Sequence, residues 1–526
     1  MQNRNLKYIV MIKTDRLAGI GKTLLCLYLI PVFFIHCTKI IHSIPPQHYP
    51  PGIDTAVYSQ VPQSDIYEVT VIRDGVSREK QLVFQSVCPV YQQGYMNMTT
   101  NDMYPLNIFK GRTINWTTFS FSGHVSIEVR LLSQSRLAMD NNVKILPTRY
   151  GIHPVVNGNT IVFDLNKPGQ CSVEIGDSGY KNGLMIFANP AETNKADTTA
   201  GAYKVLRSAA VQDVAAVGSP YTGIYFKAGV HNIGVYHIPV NIKNVYLEEG
   251  AWVYGTLIMD GNAGVHIFGR GILSSAKLNY RQSHCVEAIT QSNNITLEGI
   301  TIADAKYFAV RLIGKNNSVS WVKVVGSWTY NCDGIAVYDN SQVSNCFIWA
   351  NDDNIKVYRD NISFTDCVVW QLNNGGVIQL SWGNGNATHV TITRTDILHG
   401  EWNNDAVNRG VISCVGDKFA AGGMYGLQQN FLIEDLVTET PVPLIFRISP
   451  NPASPNEIHG MVFKNWNVQM DMSKGFHNYL QAGDPAHPFD GLVFDHFIFN
   501  GTQLTSSNWI GLARFDTANI QPPVFQ

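Results

Sequence analysis

The stretch Asn331-Cys-Asp-Gly-Ile-Ala-Val-Tyr338, followed by Ala350-Asn-Asp-Asp-Asn-Ile-Lys-Val-Tyr358, decides how this chain is read. One local pattern occurs twice: Asp333-Gly-Ile335-Ala-Val337-Tyr338 and Asp353-Asn-Ile355-Lys-Val357-Tyr358. The copies are 20 residues apart. A repeat at that spacing, with apolar residues two apart, is the mark of a stacked strand. Asp333, Asp352 and Asp353 bring three carboxylates into the same short span.

Outward from this stretch the repeat continues. A template, apolar-x-x-apolar-x-apolar, starts at Leu297, Val319, Val343, Phe364, Ile392, Ile433, Phe463 and Phe494, at intervals of 22, 24, 21, 28, 41, 30 and 31 residues. Near-constant spacing with variable insertions is the signature of a solenoid. The units are strand-like, so each is a coil of a parallel β-helix. A second strand track runs through Ile335/Val337, Ile355/Val357 and Ile378/Leu380, which predicts two strands per coil. Residues 199–526 are assigned to this helix.

The first half has no such period. Tyr67-Glu-Val69-Thr-Val71, Phe119-Ser-Phe121, Val125-Ser-Ile127-Glu-Val129 and Thr160-Ile-Val-Phe-Asp-Leu165 alternate apolar and polar. Alternation bounded by Gly, Asn and Pro predicts half-buried antiparallel strands, and so a β-sandwich over residues 46–198. The polar stretch Ala188 to Asp197 reads as the boundary. The fold class is therefore all-β: an N-terminal β-sandwich followed by a parallel β-helix.

Residues 1–45 stand apart. A basic segment precedes the apolar run Leu24 to Ile35, and polar residues follow. This pattern predicts a secretory signal peptide or signal anchor, and hence a secreted, extracellular protein. No later stretch reads as transmembrane. Sequons at Asn97, Asn115, Asn294, Asn316, Asn361, Asn386 and Asn500 suit a secreted glycoprotein. Seven cysteines follow the signal region; their pairing does not follow from spacing. Net charge is −2 with 15% charged residues, which speaks against nucleic acid or an anionic membrane as a partner. No Cys/His cluster has metal-ligand spacing, and no zinc site is expected.

The coil period gives the carboxylates a geometry. Successive coils stack about 4.8 Å apart. Asp333 and Asp353 each lie two residues before the same strand, so they become rung neighbours. Gly376 is the equivalent position one coil later, and with Gly375 it is expected to leave open space beside the pair. Phe308 is the equivalent one coil earlier. Strict alternation would point Asp333 inward with Ile335, so a bend at Gly334 and Asn354 is expected. Lys356 has the opposite parity to Ile355 and Val357 and should face outward, near the acids.

Close carboxylates cannot all ionise without cost. One held protonated can donate to a leaving oxygen while the others deprotonate a water. In that reading the stacked Asp333 and Asp353 grip the water and Asp352 is the acid. In inverting glycosidases acid and base stand about 6.5–9.5 Å apart. A calcium site is the competing use of these oxygens, and Lys356 argues against it. Trp328, Tyr330, Tyr358, Trp382 and Trp402 are candidate sugar platforms, with Lys356 a further substrate contact. Trp349 and Trp370 are expected to pack on the body.

At these residues the chain resembles glycoside hydrolase family 49, the dextranase and isopullulanase family. The resemblance rests on Asp333-Gly and Asn351-Asp-Asp-Asn-Ile-Lys-Val-Tyr358. It extends to Val368-Val-Trp370, Val377-Ile-Gln-Leu-Ser-Trp382, Gly223 to Val230, Val245 to Gly255, Ile145 to Arg149 and Gly183 to Pro190. It implies a right-handed β-helix and inverting endo-hydrolysis of α-glucans, without a cofactor. It also implies a general acid at Asp352 and a base at Asp333, Asp353 or both. The expected partner is a polysaccharide, met by a monomeric enzyme. Where the family pattern reads Asp-Asp-Asp-Gly, this chain has Asn351-Asp-Asp-Asn354. Asn331-Cys-Asp-Gly also resembles the Asn-Thr-Asp-Gly of polygalacturonases, but that family's Gly-His-Gly and Arg-Ile-Lys are missing, which favours a neutral sugar.

Overall fold

The repeat of the second half closes in register. In the computed structural model, Leu297, Val319, Val343, Phe364, Ile392, Ile433, Phe463 and Phe494 each pair with the next in parallel ladders. All eight are buried. They form the spine of a continuous apolar column that runs the length of the coil. Each fully buried Val, Leu, Ile or Phe on that spine stabilises the stack by about 1.5–3 kcal/mol. Described residues are 56–89, 109, 111–133, 135–289, 291–380, 386–414, 426–449 and 456–526. The signal segment, Asn97 and Trp382 lie outside them.

Each coil carries three strands rather than two. Thr296–Glu298, Thr301–Ala303 and Val310–Leu312 make one coil; Gln342–Ser344, Phe347–Ala350 and Ile355–Val357 make another. The apolar template straddles a corner between the first two. A single left-handed residue turns that corner: Gly299, Trp321, Asn345, Asp366, Arg394, Asp435, Asn465 or His496 in successive coils. Because one residue makes the turn, both strands keep feeding inward side chains and the sequence period does not register the break. The stack therefore has three faces: an outer sheet, a sheet facing the sandwich, and the sheet of Ile335–Val337 and Ile355–Val357, here termed the cleft sheet.

The N-terminal part is a sandwich of two five-stranded sheets. Val125–Leu131 and Thr160–Leu165 alternate buried and exposed as expected. The second sheet holds Thr113–Phe121, Leu184–Pro190 and Gly169–Ile175, and most of its residues are buried on both faces. A sheet covered twice loses its alternation. Its outer side lies on the coil: Phe187 meets Phe347 at 5.1 Å between ring centroids, and Trp116 stacks on Trp252 at 6.4 Å. Trp349 and Trp370 are buried in this same junction. One pair departs from the antiparallel expectation, since Leu184–Pro190 runs parallel to Thr113–Phe121. That strand extends through Pro190, inside the polar stretch read as boundary, and the first coil strand begins at Tyr203. Asn115, one of the sequons, is fully buried in the sandwich and is not a position for a glycan.

Candidate active site

The sandwich-facing sheet and the cleft sheet are joined by irregular segments of unequal length. Three of them carry the acids and their props: residues 328–334, 351–354 and 372–377. Ile335 pairs with Ile355 and Ile355 with Ile378, which places Asp333, Asp353 and Gly376 on successive rungs. The ladder continues through the acids themselves. Gly334 N–H donates to the Asp353 carbonyl at 2.8 Å, and Asn354 N–H donates to the Gly376 carbonyl at 3.1 Å.

The turn is not made where the sequence pointed. Neither Gly334 nor Asn354 has a left-handed φ; Asn331 (59°) and Gly375 (72°) do. Gly334 is glycine for space, because a Cβ there would lie 2.4 Å from the Asn354 carbonyl oxygen. Nor do Gly375 and Gly376 leave a gap. A Cβ on Gly375 would lie 2.4 Å from the Asp353 nitrogen, and one on Gly376 would lie 2.4 Å from Ser413 Oγ. The glycines let the backbone press against the acids, and Gly376 N–H donates to Asp353 Oδ1 at 2.9 Å.

Lys356 faces the cleft as its parity requires. Its ammonium donates to Asp333 Oδ2 and, at 2.7 Å, to Asp353 Oδ2, which joins two rungs. Lys356 and the three acids are buried, between 2% and 4% exposed. Asp352 is held differently. Its Oδ2 accepts from Asn331 N–H (2.8 Å) and Asn374 Nδ2 (2.6 Å), and its Oδ1 from Asp353 N–H (3.1 Å). One side-chain oxygen from each of the three acids lies within 4.8 Å of the other two.

Burial pushes the Asp352 carboxyl up to about 6, with help from the Asp353 charge and against the Lys356 ammonium. Burial also raises Asp333 well above the ordinary carboxylate range; Lys356 opposes this, and the charges of Asp352 and Asp353 add to it. Burial pulls Lys356 down, yet Asp333 and Asp353 together outweigh it and hold the ammonium charged. Three carboxylates this close are also a donor set for a divalent cation. Lys356 already supplies the positive charge between two of them.

A layer behind the acids escaped the sequence reading. Asn351 donates to the Trp328 carbonyl at 2.8 Å and accepts from the N–H groups of Asn373 and Asn374 at 3.1 Å each. Gln371 Nε2 donates to the Asn351 carbonyl (3.2 Å) and the Asp352 carbonyl (3.1 Å), and its Oε1 accepts from Asn354. The available signal was a polar Gln371 closing the apolar run Val368-Val-Trp370.

The acids open onto a cleft of about 560 Å³, with Arg281, His284, Tyr307, Phe308, Arg311 and Tyr338 on its walls. Tyr330, 38% exposed, and the largely buried Tyr358 line it as expected. Trp402 does not. It is 1% exposed, packed in the coil interior, and its indole N–H donates to the Gly375 carbonyl at 2.7 Å. A ring enclosed on both faces offers no platform; it props Gly375 instead. Trp328 is likewise buried, donating to Ser86 Oγ at 2.8 Å. The walls at Arg281, His284, Tyr307 and Arg311 were not found from sequence. They lie one and two coils before Asp333, and no motif joins them.

Comparison with known proteins adds the following. The family model described as the glycosyl hydrolase family 49 N-terminal Ig-like domain matches residues 52–181. A dextranase of Arthrobacter globiformis is 26% identical over 408 residues, 65% of this chain and 63% of that protein. An isopullulanase of Aspergillus niger is 23% identical over 360 residues, 61% of this chain and 63% of that protein. The chain thus spans less than two thirds of the length of these relatives. Among solved structures, Dex49A from Penicillium minioluteum superposes with a TM-score of 0.73 at 19% identity, covering 89% of this chain and 95% of that one.

Proposed function

We propose that this chain, which belongs to glycoside hydrolase family 49, is a secreted endo-glycosidase that hydrolyses α-glucan with inversion, with the α-1,6 linkages of dextran as its first substrate. The observation that carries the reading is the division of the three acids. Asp333 and Asp353 share one ammonium on adjacent rungs, while Asp352 has a separate set of donors.

In this reading Asp352 is the general acid. Burial lifts it to about 6, so it keeps its proton in mildly acidic water and can give it to the glycosidic oxygen. Asp333 and Asp353 hold the attacking water and take its proton. Lys356 stabilises their negative charge and fixes their orientation. Among the described residues Asp333 Oδ1 has no hydrogen-bond partner, whereas both Asp353 oxygens are engaged, by Gly376 and Lys356. This favours Asp333 Oδ1 as the atom that meets the water; burial raises Asp333, and the Lys356 ammonium opposes that rise so that the pair can serve as base. Proton transfers of this kind contribute about 10²–10⁴-fold each. Family membership argues for inversion, together with a base made of two carboxylates that hold a water. Tyr330 and Tyr358 are the proposed sugar contacts, with Lys356.

Reducing-sugar release from dextran, pullulan and polygalacturonate tests the reading, with Asp352→Asn as control. Cleavage of dextran is expected, and loss of it in the variant. Cleavage of pullulan alone would move the substrate to that of the isopullulanase relative. Turnover of no glucan, or an unaffected variant, would end the proposal. NMR of the first-formed anomer decides the stereochemistry.

A further inference from the structure

A second groove, of about 430 Å³, lies on the opposite side of the sandwich-facing sheet from the acids, where loops of the sandwich meet the one-residue corner of the coil. Tyr150 and Lys167 come from the sandwich. Trp321, Asn345, Asp366 and Arg394 come from the coil. Those four are consecutive rungs, since Ser320 pairs with Ser344, Ser344 with Thr365 and Thr365 with Thr393. Four rungs set a straight track about 14 Å long.

The track is unusual in its residues. All four hold left-handed φ, between 52° and 55°. Asn and Asp adopt that conformation readily; a bulky ring does not. The same corner one coil earlier is Gly299. Trp321 therefore occupies a place where a small residue would fold more easily. The turn is braced from inside by Lys323, fully buried, whose ammonium donates to the carbonyls of Trp321 (2.7 Å) and Gly299 (2.8 Å). Such an outlier, held by the structure around it, points to a use for the side chain. Trp321 is half-buried and lines the groove.

The polar rungs suit an uncharged ligand. Arg394 is bound by Asp366 through two bonds, at 2.6 and 2.9 Å, so its charge is neutralised in place. The Lys167 ammonium sits 5.7 Å from the centre of the Tyr150 ring. A ring face flanked by fixed donors and acceptors along a straight track matches a chain of neutral pyranoses, whose faces are apolar and whose edges carry hydroxyls. We propose that this groove is a second, non-catalytic binding site for a glucan chain, with Trp321 as its platform and Asn345, Asp366 and Arg394 as its hydrogen-bonding rungs. The inference rests on the glucan reading above. Its role is to keep the enzyme on the polymer between cuts.

The test uses the full chain in the Asp352→Asn background, so that the polymer is not consumed. Retention is read by affinity electrophoresis through gels containing dextran or pullulan. Trp321→Gly is the informative variant, since glycine fits the left-handed corner and the fold is expected to keep its melting temperature. A fivefold or larger weakening of retention is expected. Arg394→Asn, also compatible with the corner, should weaken it less. In the otherwise unaltered chain, Trp321→Gly should leave kcat/KM on short oligosaccharides within twofold and lower the rate on long polymer. Unchanged retention in Trp321→Gly, or a parent that neither gel retains, overturns the site. The two readings fail separately. Trp321-dependent retention without cleavage of any glucan keeps the site and removes the proposed activity; cleavage with Trp321-independent retention does the reverse.

Discussion

Two corners of the same coil behave in opposite ways. At the corner between the outer sheet and the sandwich-facing sheet, one left-handed residue turns the chain, coil after coil, from Gly299 to His496. At the corner before the cleft sheet, the connections differ in length and conformation, and they hold Asp333, Asp352, Asp353 and their props. The first corner repeats because the strands on both sides need nothing but a sharp turn. The second is free to vary because its backbone is tied down by side chains, namely Asn351 and Gln371, rather than by a repeating turn. The candidate site collects where the repeat is interrupted. The exception is Trp321, which puts a large ring into the repeating corner.

Substitutions at the cleft corner are expected to cost activity, and those at the turning corner outside the second groove to cost only stability. The largest effect is expected for Asp352→Asn, which should lower kcat on dextran by about 10²–10⁴-fold, with a loss of about 1–3 kcal/mol of stability where the new amide NH2 meets a former donor. The parent should also show a falling limb above about pH 6, where Asp352 loses its proton; a variant with residual activity should lack that limb. A parent pH profile that is flat through this range would remove Asp352 as the acid.

Lys356→Met comes next. It leaves Asp333 and Asp353 buried without their common cation, and should destabilise the fold by about 3–5 kcal/mol in denaturant titration while abolishing turnover. A stable, active Lys356→Met would break the idea that the pair needs a charge between its rungs.

Asn351→Asp is subtler. It restores the acid of the family pattern but removes the donor to the Trp328 carbonyl, in a fully buried site. We expect a loss of about 1–3 kcal/mol and a modest fall in kcat. At the turning corner, Asn465→Ala should cost about 1–2 kcal/mol, through the left-handed backbone and the lost bond from its Nδ2 to Asp435 Oδ1, with kcat and KM untouched. An activity change there would erase the distinction between the corners.

Much of the fold was legible because a stacked coil repeats its inward residues. The apolar template, eight occurrences long, pairs in register throughout. The third strand was not legible, since a one-residue turn such as Asn345 leaves no gap in the apolar pattern. Lys356 could be placed from parity alone. Trp402 could not: nothing in the local sequence separates a ring enclosed by its own coil from one facing a cleft. The bend at Asn331 and Gly375 was misassigned to Gly334 and Asn354. A glycine needed for close approach and a glycine needed for its φ look the same in a sequence.

What the sequence by itself determined is the class of fold, the stacking of Asp333 on Asp353 and the outward aim of Lys356. All three follow from periods of 2 and about 20 residues, which are properties of the chain alone. Only the tertiary structure decided how the acids are held, how close they stand, and what the glycines beside them are for. Those depend on contacts between residues far apart in the chain, such as Gln371 under Asp352 and Trp402 beneath Gly375. A hydrogen bond of that kind leaves no period to read.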